Sequence, residues 1–306
     1  MKKITIIQFL LVFISVSVHS QLSVKNYVFA VRDTVTLGLD LYTLADAGEK
    51  NPVIVFVFGG GFITGSKSDE QNVNYCKSLA ERGFTVAAID YRLALKGVKG
   101  GVFALIKPLE YAIGVAVEDL YSAVHFLLQH ADELGIDTDR VILNGSSAGA
   151  ITVLQADYEL CNGTETVKAL PPDFRFAGVI AFAGAIFSRE GKVTYKRPPA
   201  PTFLFHGMKD KLVFYDKMQI FRLGFFGSNA IVKRFEKFDY PYCIYRYRDM
   251  GHDIASYPMT RNLDDIVWFI DRYVGEKAPL RMDATIKDEN LTPMDIGGFT
   301  PADLYK

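Results

Sequence analysis

The chain has 306 residues, of which 49% are hydrophobic and 23% charged, and its formal net charge is -1. That composition suits a folded globular protein long enough for one large domain with a sizeable core. The near-neutral balance gives no electrostatic footprint for nucleic acid, where a strongly basic surface is expected, so no nucleic-acid partner is expected.

The N-terminus is a separate object. Lys2 and Lys3 precede an apolar run from Ile4 to Val18, and Val18-His19-Ser20 offers small or modest residues before Gln21. This is the build of a signal peptide over residues 1–20, cleaved near Ser20, which implies a secreted or periplasmic mature chain. The run falls short of the roughly 20 residues of a spanning helix, and no stop-transfer pattern follows. Stable membrane insertion is therefore not expected. Export implies an oxidising compartment, yet only Cys76, Cys161 and Cys243 are present. One disulfide is possible, but all three lie in or beside apolar stretches and read better as small core residues. No Cys/His cluster has metal-ligand spacing, so no metal is expected.

Residues 21–306 read as one domain. Ser23–Val31 and Thr34–Leu41 alternate apolar and polar residues, as a half-buried antiparallel pair does. Pro52–Phe58 is a solid β-branched run, the pattern of a strand covered on both faces. A helix over Asn72–Arg82 and a strand over Phe84–Asp90 follow. Val117, Leu120, Val124 and Leu127 give helical spacing within Ala112–His130. Next come a strand at Arg140–Asn144 and a helix at Ala148–Tyr158. Strands at Val179–Phe182, Thr202–Phe205 and Cys243–Tyr247 precede a last helix over Asn262–Tyr273. Residues 279–306 lack periodicity and read as an irregular tail. Strands alternating with helices predict an α/β fold, with a mostly parallel sheet of roughly eight strands and helices on both faces. In such sheets the chemistry lies beyond the carboxyl ends of the strands.

Gly145-Ser146-Ser147-Ala148-Gly149 stands directly between the strand Arg140–Asn144 and a helix. The G-x-S-x-G pattern in that context makes a sharp turn that lifts its central serine clear of the sheet. The glycines flank Ser147 at the right spacing; Ser146 does not fit. A serine hydroxyl needs a base in reach and an acid to orient that base. On such an elbow the partners follow in the order acid, then histidine. His125 and His130 precede the serine and read as surface or packing residues. His252 lies just past the last predicted strand, where the base should hang. Asp210 lies a few residues past Thr202–Phe205, where the acid should stand. His206 reads as a structural residue of that turn, and Asp249 and Asp253 as pointing elsewhere. A histidine base must be neutral, so activity should fall in acid. Phe58-Gly59-Gly60-Gly61-Phe62 follows the strand Pro52–Phe58. Its glycines allow backbone N–H groups to approach a substrate closely. Gly60 and Gly61, with the N–H of Ala148, are the candidate oxyanion donors. No Lys-Ser/Thr pair follows at phosphate-loop spacing.

The set FGGGF, DYRL, GSSAGA, HGMKD and GHD, spread from about Val53 to Tyr273, resembles the α/β-hydrolase serine esterases. The likeness is nearest to the carboxylesterase, hormone-sensitive-lipase-like and acetyl-esterase branches. It implies ester hydrolysis through an acyl-enzyme, no cofactor, and triad roles for Ser147, Asp210 and His252. It also implies a structural role for Asp90-Tyr91-Arg92-Leu93. Many of the lipase-like members carry His before the three glycines; here the residue is Phe58, a departure that bears on branch. Residues 159–176 leave room for only a small cap, which favours short acyl groups. By analogy with exported enzymes of this type, the substrate would be a small-molecule or carbohydrate-linked ester, with acetyl or feruloyl groups on plant polysaccharide. Two other readings stand beside this one. A serine exopeptidase on the same fold would generally need a propeller or a larger cap. A non-catalytic binding module would not need every triad position filled.

Overall fold

The computed structural model describes residues 21–44, 50–99 and 102–293. The expected leader lies outside them. In chain order the first elements are β1 (Leu22–Arg32), β2 (Val35–Leu44), β3 (Asn51–Val57), α1 (Glu70–Ala80), β4 (Thr85–Ile89) and α2 (Val102–Gln129). Then come α3 (Ala131–Leu134), β5 (Ile136–Ser146), α4 (Ala148–Asn162), β6 (Gly178–Phe182), β7 (Ala185–Ser188) and β8 (Thr202–Gly207). The last are β9 (Lys217–Ile220), β10 (Leu223–Gly227), α5 (Ser228–Lys237), β11 (Tyr242–Tyr247), α6 (Pro258–Arg261), α7 (Leu263–Phe269) and β12 (Arg281–Ile286).

Nine strands form the main sheet, in the order β1-β2-β4-β3-β5-β6-β8-β11-β12. β1, β2 and β4 pair antiparallel, and from β4 through β12 every neighbour is parallel. Each central strand is a run of buried residues, for example Val53 to Val57 and Val179 to Phe182. Apolar side chains on both faces need helices on both faces, and those helices provide the cover. β1, at the edge, has no fully buried residue and leaves Val24, Val28 and Val31 exposed.

The tail expectation needs correcting. Arg281–Ile286 is a strand that pairs parallel with β11, so the sheet has a ninth member and the chain past 279 is ordered there. Its burial alternates as an edge strand's does, and six residues are too few for a clear period-2 signal. α2 begins ten residues before the predicted start. Pro108 lies inside it, and proline argues against a helix interior in any local reading. The span Ile106–Gln129 is apolar enough to cross a membrane, but most of it is buried within the domain. The last helix is interrupted: α7 continues into a π-helical turn over Ile270–Gly275. All three cysteines are buried and free, as expected.

A second, three-stranded sheet, β7-β10-β9, was not foreseen. Its strands are four or five residues long, and Gly224 and Gly227 interrupt the alternation in β10. This small sheet stands over the carboxyl ends of the main strands and forms one wall of the cavity described next.

Candidate active site

Ser147 occupies the single residue between β5 and α4. Its φ is 50° and ψ -115°, a left-handed conformation that side chains rarely adopt. The surroundings hold it there. Its N–H donates to the Phe182 carbonyl at 2.9 Å, and α4 leaves directly from the next residue. Strand and helix approach so closely that a Cβ on Gly145 would stand 2.3 Å from the Gly149 carbonyl oxygen. One on Gly149 would stand 2.0 Å from the Val57 carbonyl oxygen. Only glycine fits either position. Ser146 is turned away: it is buried, and its hydroxyl donates to the Ala255 carbonyl at 2.6 Å.

The chain returns to this point twice. After β11, Gly251 leads into a 3-10 turn that begins at His252. The His252 Nε2 atom lies 2.8 Å from Ser147 Oγ. After β8, the loop brings in Asp210, whose Oδ2 lies 2.8 Å from His252 Nδ1. Asp210 Oδ1 accepts the N–H groups of Leu212 at 2.8 Å and Val213 at 3.0 Å. Burial alone would push this carboxyl up. Hydrogen bonds from His206 and His252 outweigh it and hold the group well below the usual carboxylate range. The structure thus brings together the three residues that the motif spacing singled out. Asp249 is elsewhere, paired with Lys209 at 2.8 Å on the surface. His125 is exposed on α2, and His130 packs against Phe126.

His206 has a larger part than a turn residue. It is fully buried, with Nδ1 2.7 Å from Ser228 Oγ and Nε2 2.9 Å from the Val213 carbonyl. Nε2 also lies 3.4 Å from Asp210 Oδ2. Its position at a strand end, four residues before Asp210, was the available signal.

Gly60 and Gly61 lie in the loop after β3, with φ of 123° and 64°. The Gly60 carbonyl accepts the N–H groups of Ile63 and Thr64, and a Cβ on Gly60 would stand 2.0 Å from the Thr64 carbonyl oxygen. A Cβ on the preceding Gly59 would touch Ser147 Cβ at 3.2 Å, so this loop runs against the serine. Ala148 opens α4 at the same place. The residue before the glycines, Phe58, stacks on Tyr91 with centroids 4.6 Å apart, and the Tyr91 hydroxyl donates to the Phe58 carbonyl at 3.1 Å. Phe62 packs edge-on against the same tyrosine, and the Leu95 N–H reaches the Phe62 carbonyl. The Asp90–Leu93 segment is structural, as read. Asp90 accepts the Gly38 N–H, and Arg92 is forked onto the buried Asp119.

Ser147, His252 and the glycine loop open onto a cavity of about 470 Å³. Its walls are apolar: Leu109 from α2, Ile151 from α4, Leu212 from the Asp210 loop, and Met218 and Phe225 from the small sheet. Among the described residues, no carboxylate, lysine or arginine lines it. Among the described residues, no group of three His, Cys, Asp or Glu could hold a metal ion.

Comparison with known proteins agrees with this geometry. The family model described as BD-FAE matches residues 39–186. A probable isoprenylcysteine alpha-carbonyl methylesterase of Arabidopsis thaliana is 36% identical over 112 residues, covering 37% of this chain and 20% of that protein. A secreted triacylglycerol lipase of Gibberella zeae is 28% identical over 160 residues, covering 52% and 26%. The chain thus spans only 20% and 26% of the lengths of these two curated relatives. Among solved structures, Thermogutta terrifontis esterase 2 superposes with a TM-score of 0.59 at 22% identity, covering 84% of this chain and 95% of that one.

Proposed function

Taking as premise that the chain belongs to the α/β-hydrolase superfamily, we propose that it is an exported serine carboxylic-ester hydrolase acting through an acyl-enzyme. The observation that carries this reading is the continuous hydrogen-bonded line from Ser147 through His252 to Asp210, at 2.8 Å and 2.8 Å.

Each part then has a task. His252 Nε2 takes the proton of Ser147 as its oxygen attacks the ester carbonyl. Asp210 holds Nδ1–H, which fixes the tautomer and stabilises the imidazolium that forms. The N–H groups of Gly60, Gly61 and Ala148 receive the oxyanion, each worth about 3 kcal/mol in the transition state. His252 returns the proton to the departing alcohol. Water, activated by the same base, then releases the acid.

The apolar, uncharged cavity favours neutral esters. Its volume of about 470 Å³ accommodates acyl groups from acetyl to an aromatic acyl such as feruloyl, including those carried on carbohydrate. The exopeptidase reading loses ground here: a free α-ammonium calls for a carboxylate, and none of the described residues that line the cavity is one. The residues of 1–20 support export of the mature chain to the periplasm or the medium.

The test is hydrolysis of p-nitrophenyl esters from acetate to octanoate by wild type and Ser147→Ala. Wild type should cleave them, and the variant should lose about a million-fold in kcat. A folded wild type inactive on every ester would overturn the proposal.

A further inference from the structure

β9 and β10 form a hairpin that turns at Phe221 and Arg222. Successive strand residues face opposite sides, so the hairpin has two different faces. Met218 and Phe225 are cross-strand partners and line the Ser147 cavity. Their neighbours Lys217 and Phe226 are also partners, and both line a second cavity of about 290 Å³. One hairpin therefore separates the two cavities.

The second cavity is basic. Lys192, Lys217, Lys233, Arg234 and Lys237 line it against one carboxylate, Asp216, which lies 3.6 Å from Lys233. Among the described residues, the other four cations have no acidic partner within salt-bridge distance. Arg234 lies over the Phe238 ring, and its Nε is buried with no hydrogen-bond partner. This concentration stands out in a chain whose formal net charge is -1. The tip of the same hairpin carries exposed apolar side chains beside the ion pair of Arg222 with Glu190, 2.8 Å apart. Phe221 is 93% exposed, Ile220 43% and Met218 38%. Phe221 moreover sits at φ 54°. Phe221 and Ile220 adjoin one another in water, and a contiguous exposed apolar group of this kind marks an interaction surface.

We propose that this hairpin docks the protein, peripherally and reversibly, on an anionic lipid surface. Ile220 and Phe221 enter the acyl boundary, and the basic cavity behind them receives headgroup phosphates. Lys217 and Phe221 are four residues apart, about 13 Å along an extended strand, close to the depth from the headgroups to the upper acyl chains. A neutral polymer would account for an exposed aromatic ring but not for the cations. A polyanion would account for the cations but not for Ile220 and Met218. An anionic lipid layer offers a partner to both. Met218 then belongs at once to the docking surface and to the Ser147 cavity, and esters held in the lipid reach the serine along it. That delivery step rests on the esterase reading; the docking does not.

The test uses full-length Ser147→Ala protein, so that binding is read without turnover, in sedimentation with vesicles of phosphatidylcholine alone or mixed with phosphatidylglycerol. Binding should be about tenfold or more tighter to the anionic vesicles and should weaken with salt. Phe221→Asp and Lys233→Glu should each cost about tenfold. In the active protein, Phe221→Asp should leave p-nitrophenyl butyrate hydrolysis unchanged and slow cleavage of an ester dissolved in the vesicles. Equal binding to both vesicle types, or binding indifferent to both substitutions, would overturn docking. So would a dimer that Phe221→Asp dissociates, or retention on polygalacturonate but not on vesicles. Vesicle binding, together with a folded wild type that cleaves no ester, would uphold docking while sinking the esterase reading.

Discussion

His206 and Asp210 are in contact: the imidazole Nε2 lies 3.4 Å from the Oδ2 oxygen that also receives His252 at 2.8 Å. Two imidazoles thus face one carboxylate oxygen, while backbone N–H groups hold the other. His206 is itself tied to Ser228 at the head of α5 and to the Val213 carbonyl. Asp210 is therefore fixed from the strand end, from its own loop and from a neighbouring helix.

His206→Gln should expose how much of that fixing matters. The substitution breaks a fully buried network, so a loss of roughly 1–3 kcal/mol in urea unfolding is expected. If His206 also positions Asp210, kcat should fall about tenfold on a p-nitrophenyl ester with KM little changed. Lost stability at unchanged kcat would mean that Leu212, Val213 and His252 hold the acid unaided.

The ionisation of Asp210 has a stability consequence with a definite sign. Its pKa in the folded chain lies below the ordinary value of 3.8 because the hydrogen bonds from the two histidines outweigh desolvation. A depressed carboxyl stabilises the fold above the unfolded value and loses that contribution as pH falls through the folded one. The stability gap between wild type and Asp210→Asn should therefore be widest near neutral pH and should narrow below about pH 4. Denaturant midpoints measured across that range check it. A gap that stays constant into acid would show that Asp210 gains nothing from being ionised.

Much of this was legible because it depends on local chemistry. The elbow needs glycine on both sides of Ser147, and the buried strands before the elbow, before Asp210 and before His252 are visible as apolar runs. Parallel order then brings their carboxyl ends together, which is why three residues up to 105 positions apart meet as expected. The small sheet and β12 were not legible. Their strands are short, and their partners are chosen by tertiary contact rather than by pattern. His206 was visible as a strand-end residue, but its contact with Asp210 depends on how the intervening loop folds back. The effect of Phe58 also needed the structure, since the ring that braces it comes from Tyr91, 33 residues on.

Tyr91→Phe addresses that brace. It removes the hydroxyl that donates to the Phe58 carbonyl and keeps the ring against Phe58 and Phe62. The buried carbonyl then loses its partner, at a cost of about 1–3 kcal/mol. A slackened glycine loop would misplace the proposed oxyanion donors, and one such donor is worth roughly 10²–10³ in kcat when removed outright. A partial loss, about threefold to tenfold in kcat at constant KM, is the expected result for the shortest ester. An unchanged kcat would place the loop's rigidity in the Leu95–Phe62 hydrogen bond and ring packing alone.

Ile151 offers control over the acyl group. It lies one turn into α4 from Ser147, is 7% exposed, and lines the cavity wall. Ile151→Phe puts a larger ring into that space without charge or a new polar atom. Acetate needs little of the cavity and should be cleaved nearly as before. Each further methylene that the wild type buries contributes about 0.8 kcal/mol, roughly a factor of four in kcat/KM. The variant should forfeit that gain progressively, so its profile against chain length should flatten or fall where the wild type rises. Steady-state kinetics on acetate, butyrate, hexanoate and octanoate would show the two curves parting. If they instead run parallel, the acyl chain does not lie along α4, and the wall formed by Met218 and Phe225 becomes the surface to vary.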